Sequence, residues 1–102
     1  MLNKEEKRII TLSIGHVFSV INLKYNDHSV DFEKAKITLD KFELVLNNIR
    51  GIPKHNRDTI CLLINEIRQS LISHKIDEAL WKRDLLEINL RLHFDIHIKH
   101  SE

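Results

Sequence analysis
Two glycines and one proline in 102 residues leave little material for tight hairpin turns, which in sheet proteins usually demand glycine at positive φ. Helix bundles have no such need, so the scarcity points to an all-α fold. A single cysteine, Cys61, excludes an internal disulfide, and no charged-then-apolar leader with a small-residue cleavage site opens the chain. Together these predict a cytoplasmic protein. An excess of one charge sign is missing too: 16 Lys and Arg against 15 Asp and Glu give a formal charge of +1, with no global field drawing the chain to nucleic acid or anionic lipid. The longest stretch without charge, Ile9 to Leu23, falls short of the roughly 20 apolar residues that span a bilayer. Thr11, Ser13, His16, Ser19 and Asn22 interrupt it, so no membrane span is expected. Catalytic signatures are lacking as well: there is no G-x-S-x-G elbow, glycine-rich phosphate loop, H-E-x-x-H or paired C-x-x-C. These absences argue for a non-enzymatic protein without a required cofactor.

What is present is the composition of a folded domain, 42% hydrophobic and 30% charged. The length predicts a single helical domain over 1–102. Abundant Ile, Lys and Asn suit an AT-rich bacterial or phage genome.

The first helix is predicted over Asn3 to Tyr25, with Asn3 as its cap and Glu5 and Glu6 at the positive end of its dipole. Thr11, Gly15 and Ser19 recur every fourth residue and form a small-residue ridge, read as a buried packing surface or, second, as the seam of a homodimer. His16 reads as a core histidine. A second helix, capped by Asp31, carries Phe32, Ala35, Leu39, Phe42, Leu46 and Ile49 at 3,4,3,4,3 spacing and stops at Gly51-Ile52-Pro53. Glycine there suits a left-handed position, Ile52 can fold back onto the last turn, and Pro53 blocks continuation. Asn56 would cap a third helix with Ile60, Leu63, Ile64, Ile67 and Leu71 inside, running to about Ser73. Cys61, between Ile60 and Leu62, reads as a small buried hydrophobe.

Asp77 would cap the fourth helix, whose end is ambiguous. Leu85, Ile88, Leu92 and Ile96 make one helical stripe, and Leu86, Leu90, Phe94 and Ile98 a second. Ile88, Leu90, Leu92, Phe94, Ile96 and Ile98 also alternate with period two. The leading expectation is an antiparallel four-helix bundle with helix four reaching Lys99. The alternative is an α+β fold with a C-terminal strand at about 86–98.

Three sets of residues are candidates for function. His93, His97 and His100, at i, i+4 and i+7 on a helix, could face one zinc ion, and on a strand His93, Asp95 and His97 would point the same way and offer two nitrogens and a carboxylate. Arg50, Lys54 and Arg57 make a basic corner for phosphate or nucleic acid, although Glu66 on the following helix opposes a DNA backbone. Tyr25, Trp81, Arg83, Phe94, Ile96 and Ile98 combine aromatic and apolar anchors with charge, the chemistry of a protein-binding surface; for Trp81 itself, packing at the core boundary is the first reading. The general shape is shared with small bacterial immunity proteins, antitoxins and phage-encoded inhibitors, as a likeness of architecture without a shared motif. The reading that follows is a small protein-interaction module that masks or regulates a protein partner. Metal binding through the C-terminal histidines and a helical nucleic-acid-binding regulator are the alternatives.

Overall fold
The computed structural model describes residues 2–21 and 32–98. They form four helices, α1 (Lys4–Val20), α2 (Phe32–Asn48), α3 (Lys54–Ile72) and α4 (Ile76–Phe94), with no strand among the described residues. The bundle is the expected architecture, and the α+β alternative is excluded over 86–98 because α4 runs through Phe94.

Cross-helix contacts give the direction of each neighbour. Arg57 on α3 meets Ile49 beyond the end of α2, whereas Arg68, further along α3, meets Asp40 and Glu43, so the two helices run antiparallel. Lys82 on α4 reaches Ser70 on α3 across a three-residue link. At opposite ends of α1 and α4, Lys7 pairs with Asp95 and Arg83 bonds the Ile21 carbonyl, which makes that pair antiparallel too. The inner faces share one core containing Ile10, Ile14 and Val17 of α1, Leu39 and Phe42 of α2, Ile64 and Ile67 of α3, and Leu86 and Leu90 of α4. Each fully buried aliphatic or phenyl side chain contributes about 1.5–3 kcal/mol. No described helix is long and apolar enough to cross a membrane.

Asn3 caps α1 as expected, through a reciprocal pair: its Oδ1 accepts from the Glu6 amide at 2.8 Å, and Glu6 Oε1 accepts from the Asn3 amide at 2.9 Å. The helix ends at Val20 rather than Tyr25. Tyr25 and the Asp31 cap lie outside the described residues.

Several local expectations are corrected. Gly51 has no positive φ. Its lack of a side chain instead admits the start of α1, since a Cβ there would sit 3.3 Å from Glu6 Oε1 and 3.6 Å from Leu2 Cδ2. Ile52 does fold back and is buried. Pro53, not Asn56, occupies the position before α3; its fixed φ of −58° suits a helix start, and Asn56 falls within the first turn. Asp77 likewise lies inside α4, in the first turn with Glu78, where a carboxylate favours the dipole without capping. The Thr11-Gly15-Ser19 ridge is not buried packing: a Cβ on Gly15 would touch nothing within 4 Å, and Ser19 is exposed. His16 is exposed rather than in the core.

Two non-glycine residues in left-handed conformation end α3 and α4. At His74 (φ 55°) the amide bonds the Leu71 carbonyl and the next amide, Lys75, bonds Ser70, closing the last turn. At Asp95 (φ 54°) the chain leaves α4, and the Ile96 amide turns back to the Leu90 carbonyl. Helix four therefore does not reach Lys99. The period-two pattern holds only past this turn, where buried Phe94 and Ile96 and half-buried Ile98 alternate with exposed Asp95 and His97.

Candidate functional site
The sequence of α4 carries two apolar stripes, and the fold uses one. At about 100° per residue, Ala79, Leu86, Leu90 and Phe94 point one way, and all four are buried. Trp81, Leu85, Ile88 and Leu92, spaced 4, 3 and 4, point about 180° away, on the outward face. Trp81 is 62% exposed, Leu92 72% and Ile88 40%, while Leu85 between them is half-buried and packs partly against the core, leaving only its outer edge to the strip. The strip is about 17 Å long, at 1.5 Å per residue. Asp84 and Arg91 flank one side and Lys82 and Asn89 the other. The remaining exposed apolar side chains make no comparable run: Ile9 with Leu12 on α1, Ile37 with Leu44 on α2, and Leu62 and Ile72 apart on α3.

Of the sequence-predicted binding residues, Trp81 is thus at the surface and not at the core boundary first expected. Phe94 and Ile96 are core residues, and Ile98 packs partly against that core. Arg83 turns inward: its NH1 donates to the Ile21 carbonyl at 2.5 Å, its NH2 to Asp84 at 3.1 Å, and its guanidinium carbon sits 5.0 Å from the Phe18 ring centre. Its charge is spent on holding α4 to the end of α1. Both stripes of α4 were legible in the sequence, but not which of them the core covers, nor that Ile96, counted with Leu85, Ile88 and Leu92, leaves that stripe past the Asp95 turn and is buried.

The basic corner is likewise partly internal. Arg57 NH2 donates to the Ile49 carbonyl at 2.7 Å, satisfying the backbone where α2 ends, while Arg50 and Lys54 remain exposed. Arg68 ties α3 to α2 through Asp40 at 2.8 Å and Glu43 at 3.4 Å and also bonds Asn65.

The C-terminal histidines are not assembled as a helical triad. His93 is exposed in the last turn of α4, whereas His97 lies beyond the Asp95 turn with Nε2 2.9 Å from Asp95 Oδ1. His100 is outside the described residues. Among those described, no three His, Cys, Asp or Glu residues converge as a metal site. Asp95 is held below the usual carboxylate range by its bond to His97 and then by the charge of Lys7. Cys61 is half-buried, and burial, with Glu43 and Asp58 nearby, pushes its thiol up, opposite to what a nucleophile needs. A shallow cleft of about 170 Å³ between Phe32, Glu33, Lys36, Arg68 and His74 has no serine, threonine or cysteine among its lining residues.

Among the described residues, fold and surface define a small helical bundle with an exposed apolar strip along α4. No family model matches the chain, and no similar curated protein or solved structure was found.

Proposed function
We propose that the protein is a non-enzymatic interaction module that masks or regulates a protein partner through the outward face of α4. The observation that carries this reading is the strip of Trp81, Leu85, Ile88 and Leu92. Scattered exposed apolar residues are ordinary, but a contiguous strip with a tryptophan at one end and charges on its rim is the composition of a binding hot spot. Immunity proteins, antitoxins and inhibitors work in this way, by covering a functional surface of another protein. Trp81 supplies the large anchor, Ile88 with the outer edge of Leu85 the dry centre, and Asp84 and Arg91 the rim that sets orientation.

The test is capture from an extract of the source cells by the immobilised protein. A saturable partner at stoichiometric yield is expected, and Trp81→Ala should lower its affinity at least about tenfold, in the range of hot-spot truncations. Circular dichroism of the variant should be that of the wild type. No saturable partner, or equal capture by the variant, would remove the basis of the reading.

A further inference from the structure
Resting on the reading that the outward face of α4 is a binding surface, we infer that its occupant is a second copy of this chain, docked α4 against α4 in antiparallel orientation about a two-fold axis.

The strip is symmetric about a point midway between Leu86 and Glu87. Reversing the helix about that point exchanges Trp81 with Leu92 and Leu85 with Ile88. Two antiparallel copies therefore place apolar on apolar in every layer, Trp81 against the partner copy's Leu92 at each end and Leu85 against Ile88 in the middle. A 4,3,4 spacing is that of the seam by which two helices pack at a shallow angle.

The rim is complementary in this orientation. Rotation about a two-fold axis perpendicular to both helices keeps each flank on its own side, so the flank bearing Asp84 and Arg91 meets itself reversed. Asp84 of one copy then lies about 3 Å along the axis from Arg91 of the other, well within reach of the longer side chain. Symmetry makes two such pairs. Asp84 is also bonded to Arg83 but remains more than half exposed, so it can accept a second donor. The opposite flank brings Lys82 near Asn89, with no like charges opposed.

A parallel two-fold pairing would instead set each flank against the opposite one, bringing Lys82 to Asp84 of the other copy, yet Lys82 Nζ is directed to Ser70 Oγ at 3.2 Å. It would also align the two helix dipoles unfavourably. The antiparallel pairing uses groups as they stand. The strip is small by the standard of permanent interfaces, so the dimer should dissociate in the micromolar range.

Sedimentation equilibrium across micromolar to millimolar concentrations tests this directly. The wild type should show a monomer–dimer equilibrium, and Leu92→Asp, at an exposed position that leaves the fold intact, should abolish it. Asp84→Arg or Arg91→Asp alone should raise the dissociation constant about tenfold by opposing like charges, and the double exchange should return it to within about twofold of the wild type. A monomer throughout, or a dimer insensitive to Leu92→Asp, overturns the inference. A dimer lost with Leu92→Asp but indifferent to the charge exchanges overturns the antiparallel pairing. A monomer that captures a different protein in a Trp81-dependent way would refute the second copy while keeping the binding module. A dimer with the expected charge response and no other partner would do the reverse.

Discussion
At the scale of single residues, three arginines are structural ties, and two of them, Arg57 and Arg83, read from the sequence as surface charge. Arg57, Arg68 and Arg83 each span two elements and satisfy backbone or carboxylate acceptors on the neighbour. Their length permits this: a guanidinium can leave its own helix, lay its stem along apolar surface and deliver several donors at a distance. Asp95 is the counterpart among the acids, accepting from His97 and pairing with Lys7 at 3.6 Å. Because its folded-state value lies below the unfolded one, its contribution is present above the unfolded value and is lost as pH falls through the folded one. Denaturation midpoints should therefore fall as pH drops below about 4, and Asp95→Asn should reduce that fall while keeping a side chain that tolerates the left-handed turn. Equal acid sensitivity in both proteins would mean that solvent screens the interaction at this exposed site.

At the scale of the element, α4 explains both what was legible and what was not. The inner stripes of α2 and α3 appear as their sequences indicate, with Leu39, Phe42 and Leu46 on one and Ile60, Ile64 and Ile67 on the other buried. Each has a single dominant apolar face, so periodicity alone settles its orientation. In α4 two faces compete, and periodicity cannot choose between them. Side-chain truncation separates the two. Leu86→Ala should cost about 2–5 kcal/mol by opening a cavity, whereas Trp81→Ala should change the stability of the monomer by less than about 1 kcal/mol. Urea denaturation at concentrations well below self-association would measure both, and a large loss from Trp81→Ala would return that ring to the core. Helix ends were the less legible part. Neither His74 nor Asp95 is a glycine, yet each takes the left-handed turn, because burial of Leu71 on one side and Ile96 on the other favours reversal at that point.

At the scale of the whole molecule, α1 and α4 are the first and last helices of the bundle, and side chains close the gap between them. Arg83 holds one end, through the Ile21 carbonyl and the Phe18 ring, and Lys7 with Asp95 the other. Arg83→Ala should cost about 1–3 kcal/mol, since it leaves a buried carbonyl without its donor. Hydrogen exchange should then rise first in α1; an unchanged exchange pattern would mean that apolar contacts alone hold this pair. The sequence by itself determined the helical class, the approximate helices, the caps available to α1 and the inner faces of α2 and α3, because propensity and period are local properties. Only the tertiary structure decided which stripe of α4 is covered, that Phe94 and Ile96 belong to the core, that Arg57 and Arg83 turn inward, and that Gly51 is needed for close approach. Those outcomes depend on which distant segments compete for the same volume and the same hydrogen-bond acceptors, and no local pattern in the chain records that competition.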